Sequence, residues 1–372
     1  MKTPLLTYCC LLVLAILSTR GWSQDSHFAQ YNLAPIFFNP ALAGIMGDES
    51  HRFAIKYRNQ WSSVLNSGSS SFLNEQAFQT YLLSYDGRWI IGQDFLSFGS
   101  QLYTQKVDFP SYQTFAGKLT GGYHLEIDEG LHLGLGLELG WRNYSLGLNE
   151  LTFDAQFDQN SGFDPFASNG EPFDDGSGAS VGFVEVGSGI SLYRRGTLIE
   201  WIISGSINST LVGKDFSFFP NSFNSSQDRG ELKRRLSFQG NLLWHNRYDP
   251  AGRKRSFNLR FLFVSQGVHW FAIPSIEYKR YFRRVGSRHR TRKSEVALGL
   301  GTRISSNAPK NSFVNDALLL FLTTDVSTTM TIGLSYDINT SSLRKASNLR
   351  GGPELSFLYK LRSKQPLPCP TL

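Results

Sequence analysis

The sequence predicts an all-β protein, an outer-membrane antiparallel β-barrel of about 14 strands preceded by a short N-terminal periplasmic segment. Three observations predict it. Apolar residues alternate with small polar ones in many segments near ten residues long, the chain opens with the build of an export signal, and long and short connections alternate along it.

The export signal comes first. Lys2 precedes an apolar run over residues 11–17, and small residues Gly21 and Ser23 flank Trp22, so cleavage is expected before Gln24. That core is too short to span a bilayer, and no later stretch approaches the ~20 apolar residues of a membrane helix. Cys9 and Cys10 lie inside the signal behind Tyr8, a poor lipidation context, which leaves Cys369 as the one expected thiol and no intramolecular disulfide. The net charge is +7, with Lys2 and Arg20 in the signal, and there is no zinc-finger, helix-turn-helix or RNA-binding signature. Nucleic acid is therefore not an expected partner. Large aromatic content (29 Phe, 15 Tyr, 7 Trp) sits beside 35 Gly. Mean hydropathy is nevertheless slightly polar, −0.23, which suits many half-apolar strands.

The clearest strand is LHLGLGLELGWR over residues 131–142. Leu131, Leu133, Leu135, Leu137, Leu139 and Trp141 alternate without error against His132, Gly134, Gly136, Glu138, Gly140 and Arg142. The same period returns at Val296, Leu298 and Leu300; at Met330, Ile332, Leu334 and Tyr336; at Phe257, Leu259, Phe261 and Phe263; and at Leu355, Phe357, Tyr359 and Leu361. Turn clusters bound fourteen strands at 52–61, 76–86, 95–106, 113–125, 131–142, 178–193, 197–209, 232–245, 257–265, 267–281, 294–304, 314–325, 328–337 and 351–361. On this reading Leu135 faces lipid, where Leu135→Arg costs ~2–4 kcal/mol. Gly136→Ser, on the lumen face, is expected to be nearly silent.

Numbered in order, the first, fifth, seventh, eleventh and thirteenth connections are the substantial ones, while IDEG at Asp128, RRG at 194–196 and DVS at 325–327 are tight even ones. Long loops on one rim and short turns on the other place both chain ends on the short-turn, periplasmic side. The eighth and tenth connections are long exceptions and the ninth is nearly absent. A soluble β-sandwich or propeller would also alternate. Against it stand the Gly, Ser and Thr of the polar faces, an even strand number that closes without edges, and the loop parity.

No catalytic motif or metal-ligand spacing occurs, so neither an enzyme nor a cofactor or metal site is expected. Residues 151–176 carry Asp154, Asp158, Asp164, Glu171, Asp174 and Asp175 without EF-hand spacing, which reads as a solvated acidic loop before a Ca²⁺ site. Basic residues gather at even connections: Arg194 and Arg195, residues 253–255, and a run from Lys279 through Arg283, Arg284, Arg288, Arg290 and Arg292 to Lys293. Arg229 and residues 233–235 break that rule. Cations at a rim meet lipid headgroups. The sharper expectation is that the 282–293 hairpin docks an acidic periplasmic partner.

Near the start the chain reads QYNLAPIFFNPALAG over residues 30–44 and YRNQW over residues 57–61. With Gln24, Asp25 and Phe28, the residues Gln30, Tyr31, Pro35, Asn39, Pro40, Ala41, Ala43 and Gly44, then Tyr57, Arg58, Gln60 and Trp61, resemble the opening of the PorP/SprF family of type IX secretion system membrane proteins of Bacteroidota. LTFDAQFDQNSGFDP and GLSYDINTSSLRKASNLRGGPELSFLY continue the resemblance, while the tail KLRSKQPLPCPTL departs from it. The resemblance implies a non-enzymatic outer-membrane barrel serving protein secretion, surface attachment of cargo adhesins or gliding motility. Its implied partners are outer-membrane lipid, other secretion components such as the periplasmic ring, and the C-terminal domains of secreted adhesins. A passive porin or substrate channel is the competing reading.

Pro35 and Pro40 each remove a backbone donor, so residues 30–44 make a poor first strand. The expected organisation is a signal peptide over 1–23, a periplasmic or plug segment over 24–50, a barrel over 51–361 and a tail over 362–372. Partner-binding candidates are Tyr31, Pro35, Phe37, Phe38, Asn39, Pro40, Arg58 and Trp61, with the hairpin cations Arg283, Arg284, Arg288 and Arg290.

Overall fold

The computed structural model describes residues 27–60, 78–107, 112–147, 153–158, 162–164, 167, 179–212, 232–246, 255–285, 291–307, 312–345, 347–362 and 369–370. The expected signal peptide lies outside the described residues. Three single-turn 3₁₀ helices, η1 (Tyr31–Leu33), η2 (Pro35–Phe37) and η3 (Pro40–Leu42), come first. Then follow β1 (Glu49–Gln60), β2 (Phe78–Ile91), β3 (Asp94–Val107), β4 (Tyr112–Asp128) and β5 (Leu131–Leu146). A two-residue hairpin, β6 (Phe157–Asp158) and β7 (Gly162–Phe163), stands in the next connection. The chain continues with β8 (Ala179–Arg195), β9 (Ile199–Val212), β10 (Arg235–His245), β11 (Arg255–Gln266) and β12 (His269–Val285). It ends with β13 (Thr291–Asn307), β14 (Ser312–Asp325), β15 (Met330–Asn339) and β16 (Arg350–Arg362).

All strands except β6 and β7 form one closed antiparallel barrel of fourteen, each paired with its neighbour in sequence and β1 closing on β16. Closure leaves no unpaired edge, which is what a sheet in hydrocarbon requires. The faces are inverted relative to a soluble protein. Leu135, Leu137, Leu139 and Trp141 are exposed on β5, whereas His132, Glu138 and Arg142 are buried between them. The same alternation holds on β11, β13, β15 and β16, with apolar side chains outward in each. Exposed Trp89 and Trp244 lie toward one rim and Trp141 and Phe115 toward the other, as interfacial aromatics do.

Loop parity holds only in part, because β13 and β14 leave just residues 308–311 for the eleventh connection and the even eighth, 246–254, is longer. The even connections include 92–93 and 129–130, tight turns in which Gly92 and Gly130 take φ of 67° and 70°. The tenth connection is shorter than the sequence indicates, because β12 and β13 pair as far as Val285 and Thr291. The acidic stretch holds β6 and β7, with Phe157 and Phe163 in ring contact at 5.2 Å. Glu171, Asp174 and Asp175 fall outside the described residues, and among the described residues no group of acids, His or Cys is placed to hold a metal ion.

Candidate functional site

The barrel interior is occupied by the chain's own residues 28–47, every one of them buried, with Asp48 the first exposed residue, and Phe28 through Met46 form much of its packed centre. From Asp48 at the short-turn rim the segment runs inward, and its far end, His27, stacks on Phe271 in the long-loop half at 4.1 Å. Prolines at the starts of η2 and η3 fit positions that need no donor, and Asn39 caps η3 by accepting from the Ala41 N–H at 2.9 Å. Three short turns, unlike one regular helix, leave many backbone groups without internal partners. The barrel wall supplies them.

Gln101 donates to the Ile36 carbonyl at 3.0 Å and Arg235 to that of Phe37 at 3.2 Å. Ser206 and Ser237 both reach the Phe38 carbonyl at 2.7 Å, and Ser191 donates to that of Ala41 at 2.9 Å. Close approach needs room, and two inward glycines provide it. A Cβ on Gly136 would stand 2.7 Å from the Ala41 Cα, and one on Gly189 would collide with the Asn39 side chain. Aromatic edges complete the packing, with Phe37 against Phe28, Phe38 and Tyr103 at 5.2, 5.0 and 5.5 Å.

Charges hold both ends of the segment. At its inner part, Glu354 accepts from the Ala29 and Gln30 N–H groups at 2.7 and 3.1 Å. Lys56 pairs with Glu354 at 2.9 Å and donates to the Gln30 carbonyl at 2.7 Å. Arg58 bridges Glu354 at 3.3 Å and Asp337 at 2.6 Å, and Arg303 joins Asp337 at 2.9 Å. Nearer the short-turn rim Asp86 accepts from the Gly44 N–H at 2.9 Å and pairs with Arg52 at 2.8 Å, while Arg88 donates to the Met46 and Gly47 carbonyls at 2.8 and 2.9 Å. Pairing of these buried charges with one another and with the backbone of the segment favours one arrangement of it. Between these clusters Tyr31 lies in the centre, where burial pushes its phenol up to about 12.

Of the sequence candidates, the structure brings together Tyr31, Pro35, Phe37, Phe38, Asn39, Pro40 and Arg58, all of them facing the interior. Contact of these residues with a partner therefore requires the segment to leave the lumen. Arg283 and Arg284 stand in β12 opposite Lys293 and Arg292. Trp61, Arg288 and Arg290 lie outside the described residues. Two cations read as rim charges turn inward instead, Lys279 to Glu295 at 3.2 Å and Arg235 to the segment. Sequence reading missed Lys56, Asp86, Arg88, Asp337, Glu354, Gly136 and Gly189. Their common mark is a charged residue or glycine on the polar face of an alternating strand.

Apolar surface outward, an even closed ladder and an interior filled by hydrogen-bonded chain define the class: a plugged β-barrel of the outer-membrane type. The model of the family described as "Type IX secretion system membrane protein PorP/SprF" matches residues 21–359, and the chain belongs to that family. No curated protein sequence matches it. Among solved structures the chain is similar to the monoaromatic hydrocarbon channel TodX in a deltaS2 mutant, at 8% identity and TM-score 0.44, covering 88% of this chain and 94% of that one. It is also similar to the toluene transporter TbuX of Ralstonia pickettii, at 10% identity and TM-score 0.38, covering 88% and 92%. The NanC porin aligns at 9% identity and TM-score 0.35, covering 84% of this chain and 100% of that one. These likenesses concern barrel architecture alone.

Proposed function

We propose that this chain is exported on residues 1–23, assembles in the outer membrane and acts there as a non-enzymatic, plugged scaffold of type IX secretion rather than as an open pore. The observation that supports a scaffold over a passive porin is the filled lumen, in which wall groups on β1, β2, β3, β8, β9, β10 and β16 bond residues 29–47. In this reading residues 24–50 are a plug, and the long-loop rim holds the C-terminal domains of secreted adhesins for anchoring or gliding. The short-turn rim with Arg283, Arg284, Arg288 and Arg290 meets an acidic face of the periplasmic machinery.

Planar-bilayer conductance tests the reading. The full chain should be electrically silent and a chain lacking residues 24–50 should conduct; an open full-length pore would instead support the porin. Salt-sensitive co-purification of secretion components tests the rim. Capture that is unchanged when the four arginines become glutamine removes the hairpin from the proposal.

A further inference from the structure

The outer face of the barrel carries an apolar depression with two cations at its edge. Phe257, Tyr278 and Leu298 stand in one row across β11, β12 and β13, and Ile276, Leu300 and Leu320 stand in the next row across β12, β13 and β14. Both rows border an open depression of about 610 Å³ that runs on to β15. One row nearer the short-turn rim, Arg255 of β11 lies directly opposite Arg280 of β12. Arg255 shares the outward face of Phe257, and Arg280 that of Tyr278 and Phe282, each being two residues along its strand from them. That spacing sets the arginines about 7 Å from the first apolar row.

Like charges directly opposite on an antiparallel pair repel, with Cβ atoms about 5 Å apart. No acid on this wall relieves them. Glu277 and Glu295, on β12 and β13, are taken by Lys279 on the lumen side, at 3.7 and 3.2 Å. Among the described residues no carboxylate pairs with Arg255 or Arg280. The Arg280 guanidinium lies over the Phe282 ring, 5.1 Å from its centroid, and its Nε is buried without a hydrogen-bond partner. Two planar forks this close, both with donors to spare, suit one phosphate between them. The rings beside them fix the height: Trp244 stacks on Phe257 at 6.1 Å, and Phe257 meets Tyr278 at 5.3 Å. Such aromatics mark the headgroup level of a bilayer. At that level a cation pair meets phosphates, and the depression, nearer the membrane centre, meets acyl chains.

We propose that the outer face of β11–β13 is a binding site for one anionic phospholipid of the short-turn leaflet, its phosphate bridging Arg255 and Arg280 and an acyl chain lying in the depression beside Tyr278 and Leu298. The shared anion turns repulsion between the two guanidiniums into attraction. An acidic segment of a soluble partner answers the charge but not the apolar depression; a phospholipid answers both. The site rests on the barrel lying in a bilayer and not on its part in secretion.

Native mass spectrometry of the full chain, released from micelles holding equal amounts of dioleoylphosphatidylglycerol and dioleoylphosphatidylcholine, tests the site. One phosphatidylglycerol should stay on each barrel in preference to phosphatidylcholine. Arg255→Gln combined with Arg280→Gln should lower the retained fraction on the order of tenfold, with heat-shifted gel mobility unchanged. Leu300→Trp fills the depression and leaves both guanidiniums. It should also lower retention, and it carries the test should the arginine variant not assemble. Glycerol phosphate, a headgroup without chains, should not displace the lipid at the same concentration. Equal retention of the two lipids, equal retention by parent and arginine variant, or displacement by glycerol phosphate overturns the site. So does loss of the lipid to an equimolar polyglutamate peptide, which gives the arginines to an acidic protein, or a dimer mass that the arginine variant lacks, which gives the face to a second copy.

Discussion

Lys56 and Glu354 form an ion pair at 2.9 Å inside the barrel, and neither side chain has solvent exposure. The pair joins β1 to β16 across the closure seam, and each partner also bonds the plug backbone at residues 29–30. Seam and plug are therefore held by the same charges. Removing one partner of such a pair costs more than the pair itself contributes, because the other charge is left buried. Glu354→Gln should destabilise the docked plug by roughly 3 kcal/mol. Hydrogen exchange at residues 28–34 should accelerate while the strand amides stay protected. Lys56→Met combined with Glu354→Leu should cost less than either change alone, and strictly additive losses would refute the coupling.

Leu135 and Gly136 are adjacent on β5 but face different media. Leu135→Arg puts a charge on the apolar outer face and should impair membrane folding by ~2–4 kcal/mol. Alternation alone, which makes Gly136 a lumen-lining residue, predicts that Gly136→Ser is nearly silent. The Pro40–Ala41 backbone lies against it, so the added atoms overpack the plug, with a cost of ~1–3 kcal/mol. The two changes should be separable by refolding into lipid vesicles. Leu135→Arg should slow or prevent barrel formation, whereas Gly136→Ser should leave the barrel formed and loosen only residues 38–44.

Strand number, faces and closure were legible because alternation over ten residues has a fixed period and needs no knowledge of neighbours. Strand ends were less so. Cross-strand pairing continues past the apolar stretch, as where Arg284 pairs with Arg292 beyond the alternating part of β12. The interior network was hidden for a different reason. Arg58 meets Asp337 and Glu354, residues 279 and 296 positions away, and alternation tells which face a residue occupies without telling its height in the barrel. A polar face reads equally as water-lined or plug-lined. What distinguishes them is the proline-rich stretch at 35–40, whose inability to form a strand was visible but whose partners were not. YRNQ near the start of the family-like sequence and GLSYDIN with GGPELS near its end turn out to be neighbours in space through Arg58, Asp337 and Glu354.

Gly44 marks where the plug bends toward the rim, with φ of 72° and its N–H on Asp86. A side chain there would be strained by its backbone and would stand 3.0 to 3.1 Å from Ser97, Arg88 and Phe95. Gly44→Ala should therefore cost about 1–2 kcal/mol from the backbone alone. The expected signature is local: faster exchange and new protease cleavage at residues 42–48, with unchanged barrel mobility on gels. A variant as protected as the parent would mean that the bend is not fixed by this residue.

Tyr31 supplies a pH test of the docked plug. Its phenol is held neutral by burial, with a pKa near 12 against the usual value near 10, because the ionised form is penalised where water is excluded. When the plug leaves the lumen, Tyr31 regains its ordinary value. Below pH 10 the phenol is neutral in both states and pH does not matter. Between about pH 10 and 12 the released state loses its proton while the docked state keeps it, so docking weakens by roughly 1 kcal/mol per pH unit. Conductance across a planar bilayer should then rise through that window in the parent chain. Tyr31→Phe should behave like the parent at pH 7 and lose most of the alkaline rise. An identical rise in both chains would assign it to other groups and remove Tyr31 from control of the plug.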